Sequence, residues 1–379
     1  MHDSELVTLD VKPAAAMENQ SGLHMGRPRI YGRLTRPAGS KVAALLLHPT
    51  SNYMGHYLIE PLARRGISTL ALNTRYIGND SLLLMEYVLL DVGAGVAYLR
   101  KLGFEKVLLI GNSGGASTMS FYQAQAERLT IKDTPAGDPV DIAPQDLPPA
   151  DAIALTAAHI GRARVMLSAI DPSVIDENDP LSVNPALDMY GSKNTPPYSP
   201  EFVGRYRAAQ HARVKRISER AIDRLRYLRS RPESIHDEAF IVYRTYADPR
   251  YLDLALDANK RVAGGIRSLS HKMSPKGVNN STNSLGRFTT CSAWLSQWSF
   301  DHSRADGPRN LANTSKPVLL LEHTADASVF PSHMAEWRKA GGTRVTSHDI
   351  PNGTHYLFGQ PDLIDMSVEL ISDWTRGLS

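Results

Sequence analysis

At 379 residues the chain is long enough for two to three domains of roughly 150 residues, or for one large domain carrying an insertion. Hydrophobic residues at 42% and charged residues at 21% match an ordinary globular protein and exclude a disordered or collagen-like chain. A formal net charge of +3 gives no electrostatic case for a nucleic-acid binder, and apolar runs such as Val42 to Leu47 are far too short to cross a bilayer.

Residues 1–40 are polar and turn-rich, with Arg29 to Thr35 the clearest strand. The opening MHDSELVTLDVK has early acids and no apolar signal core, so a cytoplasmic protein without a membrane partner is expected. From Lys41 to about Arg128 short apolar runs alternate with longer helical ones, the pattern of a parallel sheet built from strand-helix-strand units. Val42 to Leu47, Ser68 to Leu72 and Lys106 to Ile110 are predicted as buried strands, and Leu82 to Leu102 and Ala116 to Arg128 as helices. Asp133 to Pro149 reads as a surface excursion, and Asp151 to Ala157 as the next strand.

Over residues 161–313 no sustained alternation is visible. Prolines punctuate residues 180–200, Phe202 to Arg231 has helical spacing and many basic residues, and Ser270 to Thr290 is polar. Alternation returns with a strand at Pro317 to Leu321, a helix at Ser332 to Ala340, a strand at Arg344 to Ile350 and a closing helix at Pro361 to Arg376. The prediction is an α/β core with a mostly parallel sheet, formed by residues 1–160 and 314–379 and interrupted by a mainly helical cap at 161–313.

The strongest local signal is Gly111-Asn112-Ser113-Gly114-Gly115, directly after a predicted strand and before a predicted helix. A G-x-S-x-G elbow needs that context, because the turn is too sharp for large residues beside the serine. A serine nucleophile needs a base, and the base an orienting carboxylate. His355 follows the predicted strand Arg344 to Ile350, and Asp326 follows the strand Pro317 to Leu321, so both belong at the carboxyl edge of the sheet. Glu322 is the alternative acid.

The order Ser113, Asp326, His355 and the elbow together resemble the α/β-hydrolase superfamily. His48-Pro49-Thr50 is similar to that superfamily's His-Gly turn, the stretch Asn73 to Ser81 to its D-x-R-G-x-G-x-S segment, and His323 to Val329 to its acid loop. Pro49, Asn73 and His323 stand where the pattern has Gly, Asp and Gly. The resemblance implies the α/β-hydrolase fold, a catalytic triad of Ser113, Asp326 and His355, and oxyanion donors at Gly114 and Thr50. It implies hydrolysis of a carboxylic ester or lactone without metal or organic cofactor, and a cap large enough to enclose the site favours a small or medium organic substrate. A thioesterase, an acyltransferase, a carbon-carbon bond hydrolase and a non-catalytic receptor of the same fold remain open. Aspartate-nucleophile chemistry is disfavoured by serine at the elbow.

His48, Asn112, His159, Trp294 and Trp298 are the expected pocket residues, with His48 also read as a brace for its own loop. His323 and His333 are read as structural, and the lone Cys291 as a buried or partly exposed thiol. Arg205 to Arg231 reads as an amphipathic cap helix with a charged outer face rather than a nucleic-acid patch. A homo-oligomer is compatible with the sequence.

Overall fold

The computed structural model describes residues 3–14, 28–233, 235–264 and 273–378. Its main sheet comprises β1 (Asp3–Asp10), β2 (Arg29–Arg36), β3 (Val42–His48), β4 (Ser68–Asn73), β5 (Lys106–Asn112) and β6 (Ala152–Thr156). Two later strands, β9 (Val318–His323) and β10 (Val345–Ile350), complete it. The spatial order is β1-β2-β4-β3-β5-β6-β9-β10. Within this sheet, among the described residues, the β1/β2 and β2/β4 pairings are antiparallel and the others parallel, so β4, β3, β5, β6, β9 and β10 share a direction and end on one edge.

Alternation along each strand divides the core into two layers. Leu45, Leu47, Leu109 and Leu155 face α2 (Met85–Lys101) and α3 (Gly114–Glu127), while Ala44, Leu46, Leu108 and Ile110 face α1 (Ile59–Arg64) and α10 (Pro361–Arg376). Burial on both faces explains why these strands read as continuous apolar runs. Edge strand β1 was not assigned from sequence because only Val7 and Leu9 of its eight residues are buried.

Between β6 and β9 lie α4 (Arg162–Ala169), the long α5 (Pro200–Arg229), β7 (Ala239–Ile241), α6 (Pro275–Asn280) and β8 (Phe288–Thr290). Then come α7 (Cys291–Ala293), which runs into a π-helical turn at Trp294–Trp298, and α8 (Gly307–Leu311). The last core helix before β10 is α9 (Pro331–Gly341). The polar stretch expected at Ser270 to Thr290 begins outside the described residues.

Helix α5 starts at Pro200, preset for a first helical position, with the Phe202 N-H donating to the Ser199 hydroxyl at 3.2 Å. Its apolar stripe, Val214, Ile217, Ala221 and Leu225, packs on Met166, Ile170, Trp294 and Trp298. Its arginines are largely matched: Arg207 pairs with Asp248 at 2.7 Å, Arg229 with Asp138 at 2.8 Å, and Arg224 with Glu238. Arg213 is 1% exposed and donates to Glu177 and to the carbonyls of Asp171 and Tyr243. Among the described residues no helix is long and apolar enough to cross a membrane.

Candidate active site

Strand β5 ends at Asn112 and α3 begins at Gly114, so Ser113 makes the whole turn between them, at φ 55° and ψ −128°. Such backbone is costly for a non-glycine residue and persists only where its surroundings enforce it. They do so here: the Ser113 N-H donates to the Thr156 carbonyl at 3.3 Å, and the His159 N-H donates to the Ser113 carbonyl at 3.2 Å. A Cβ on Gly111 would sit 2.5 Å from the Ala116 Cα, and one on Gly115 2.4 Å from the Leu47 carbonyl oxygen. The glycines flanking the serine are therefore steric requirements of the elbow.

The three side chains singled out by chain order meet at the carboxyl edge. The Ser113 hydroxyl lies 2.9 Å from His355 Nε2, and His355 Nδ1 lies 2.6 Å from Asp326 Oδ2. With Nδ1-H donating to Asp326, Nε2 is left to accept from the serine. Asp326 Oδ1 accepts the N-H groups of Ser328 and Val329 at 2.7 and 3.0 Å. Burial pushes the Asp326 carboxyl up, but the facing His355 and the hydrogen bonds outweigh it and hold the group below its ordinary range.

His323, conspicuous in the sequence as a departure from glycine, has a positioning contact. One ring nitrogen is 2.8 Å from the Thr354 carbonyl oxygen and the other 2.9 Å from the Thr156 hydroxyl, tying the His355 loop to β6. Burial lowers its pKa, which fits a neutral brace. Glu322 instead pairs with Arg338 on α9, away from His355.

A cavity of about 170 Å³ opens over the serine, lined by His48, Thr50, Ser113, Gly114, His159, Arg162 and Trp298 among others. Gly114 is in the first turn of α3, where N-H groups lack intrahelical partners and the helix dipole favours negative charge. Thr50 differs from expectation: its N-H donates to His48 Nδ1 at 3.1 Å, and the Ser51 N-H to the same atom at 2.9 Å. Pro49 has no N-H to offer, and the turn is closed on its own histidine.

Of the other expected pocket residues, His159 and Trp298 line the cavity, and the His159 ring centroid is 5.2 Å from that of His355. Asn112 does not line it. Its side chain is buried beneath the elbow, where the amide donates to the Thr156 carbonyl and the Tyr57 hydroxyl, both at 3.2 Å. Trp294 belongs to the insertion's own core, with its indole N-H donating to the Ser218 hydroxyl at 3.0 Å. Sequence reading missed Arg162, whose guanidinium lies 4.1 Å from the centroid of the Trp298 ring and pairs with Asp80. That cluster joins segments more than eighty positions apart with no shared motif, so no local pattern announces it. Tyr356, also missed, is signalled only by its place beside His355.

The strand order, the elbow at β5 and the acid and histidine after β9 and β10 define an α/β-hydrolase fold bearing a Ser-His-Asp constellation. No family model matches the sequence and no curated protein matches it. Among solved structures, the esterase domain of a Rhodothermus marinus protein is 14% identical, with 99% of this chain and 98% of that chain covered and a TM-score of 0.47. A monoacylglycerol lipase of Paleococcus ferrophilus is 16% identical, with coverages of 92% and 99% and a TM-score of 0.48. A hyperthermophilic esterase of the archaeon Pyrobaculum calidifontis is 12% identical, with coverages of 98% and 82% and a TM-score of 0.47. The fold assignment rests on the strand order and the elbow, not on these likenesses.

Proposed function

We propose that the protein is a serine hydrolase cleaving a carboxylic ester or lactone of a small to medium organic substrate. The observation that carries this reading is the continuous hydrogen-bonded path from Asp326 through His355 to a serine held on a strained elbow. His355 takes the Ser113 proton as Oγ attacks the acyl carbon, and the carbonyl electron pair moves onto oxygen beside the Gly114 N-H. His355 then protonates the leaving alcohol, and a water that it deprotonates releases the acid from the acyl-enzyme.

A substrate of that size is supported by the cavity, whose Val165, Leu285, Trp298 and Tyr356 offer apolar contact and whose Arg162-Asp80 pair offers polar contact. The ion matching along α5 favours a scaffold role for that helix over a phosphate-binding one. Turnover of a graded series of aryl esters by wild type and Ser113→Ala tests the proposal. Turnover that is lost in the mutant is the expected result, and equal rates in both would reject it.

A further inference from the structure

We infer that the side chain of His48 is the second oxyanion donor, through its Nε2-H, in place of a backbone N-H of the turn after β3. The inference rests on the reading of Ser113 as an acyl-transfer nucleophile.

The turn itself leaves little choice of donor. Pro49 has no N-H. The Thr50 and Ser51 N-H groups both point at His48 Nδ1. The backbone is pinned in that posture from the other side as well, because the Thr74 hydroxyl donates to the Pro49 carbonyl at 2.6 Å and the Gly78 N-H to the Thr50 carbonyl at 2.9 Å. Arg75, within that second turn, is held by Asp91 with both groups buried, which keeps the clamp rigid.

The same contacts set the tautomer. A ring nitrogen that accepts two backbone N-H groups uses its lone pair, so the proton of neutral His48 is on Nε2. Nε2 faces Gly114: a Cβ built there would lie 2.7 Å from it. His48, Ser113 and Gly114 line one cavity. The Gly114 N-H, from the α3 side, and the His48 Nε2-H, from the β3 side, thus belong to neighbouring residues of the cavity that holds Ser113. Glycine after the nucleophile has a second reason here, since any side chain would displace the imidazole.

In the acylation step Oγ bonds to the acyl carbon, its proton passes to His355, and the carbonyl π pair becomes the oxyanion. His48 donates a hydrogen bond to that oxygen and keeps its proton throughout. When the tetrahedral adduct collapses, the pair returns to the carbonyl and the leaving group departs.

Two substitutions separate a donor from a mere brace. In His48→Asn the amide oxygen replaces Nδ1 as acceptor for Thr50 and Ser51 but nothing replaces Nε2-H. In His48→Gln an amide N-H reaches the Nε2 position. The expected result is a loss in kcat of about 10²- to 10³-fold for Asn with KM nearly unchanged, and substantial recovery for Gln. Asn within threefold of wild type, or Gln no better than Asn, would overturn the inference. Should the variants misfold, the wild type answers: an aryl boronic acid that forms a tetrahedral adduct on Ser113 should shift the His48 Nε2-H proton resonance, and an unmoved resonance would overturn the inference. Wild type that neither turns over aryl esters nor takes up a fluorophosphonate would fell the hydrolase reading and this one with it. Active wild type with an active Asn variant fells this one alone.

Discussion

The sheet core and the insertion are stabilised by different means. The core buries Leu45, Leu109, Leu320 and their neighbours in two apolar layers, where transfer from water stabilises at roughly 25 cal/mol per Å². The insertion has an apolar cluster around Trp294 and Trp298, but it is knitted by arginines that reach carbonyls and carboxylates across the sequence. Arg213 binds three segments, Arg287 donates to the Val242, Asn279 and Ser281 carbonyls, and Arg250 pairs with Asp248 and Asp257. An apolar scaffold positions Ser113, His355 and Asp326, while the insertion is held largely by polar contacts. The wall over the serine draws on both, with Trp298 and Arg162 from the insertion and His48 and Gly114 from the core.

The comparison can be sharpened experimentally, beginning with the largest effect. Replacing His355 by Ala should lower kcat for an aryl ester by about 10⁴- to 10⁶-fold and lower Tm only as far as leaving Asp326 buried without its imidazole requires. Gly115→Ala should damage both, since its Cβ would meet the Leu47 carbonyl oxygen at 2.4 Å. A destabilisation of about 3 kcal/mol or more in urea unfolding is expected.

Arg213→Ala tests the insertion. Removing the buried guanidinium takes a donor from the Asp171 and Tyr243 carbonyls and leaves Glu177 with only the exposed Arg216, at a cost of about 3 kcal/mol. Hydrogen exchange should show that loss in α5 and its neighbours and spare β3, β5 and β9, whereas Leu109→Ala should weaken the sheet by about 2–5 kcal/mol. Uniform exchange changes in both variants would break the distinction between the two regions.

The smallest effect concerns the seam between them. Glu86 on α2 is buried and accepts from the Ser296 hydroxyl of the insertion at 2.7 Å. Burial raises its carboxyl from 4.5 to about 7, although the Ser296 bond acts the other way. Between those values the folded chain binds the proton more tightly than the unfolded one, so stability contributed by this group falls as pH rises from 4.5 to 7 and is level above. Glu86→Gln should raise Tm at pH 8 and leave it little changed at pH 4. An unchanged Tm at pH 8 would contradict that assignment.

The same division explains what the sequence revealed. Strands buried on both faces announced themselves: Val42 to Leu47 and Lys106 to Ile110 were read within two residues of β3 and β5. Ser113, Asp326 and His355 stood out because each follows a strand at the sheet's carboxyl edge, although β10, before His355, is a largely exposed edge strand, and their side chains meet in the structure. Periodicity registers apolar burial, however, and the insertion's long-range arginine contacts leave no period. Arg162 was missed for that reason, and Trp294, with the same apolar surface as Trp298, was placed in a pocket when its indole N-H is bound to Ser218. Thr50 was expected as an oxyanion donor from the resemblance, whereas a turn closed on His48 Nδ1 and held by Thr74 and Gly78 is a tertiary arrangement with no local signal.

The central claim is that Ser113 is a nucleophile activated by His355. Its most direct test is mass-mapped labelling by a fluorophosphonate, timed for wild type, Ser113→Ala and His355→Asn. The account predicts a single adduct on the peptide containing Ser113, none in Ser113→Ala, and labelling slowed by at least about 10³-fold in His355→Asn. An adduct elsewhere, or undiminished labelling without His355, would contradict it.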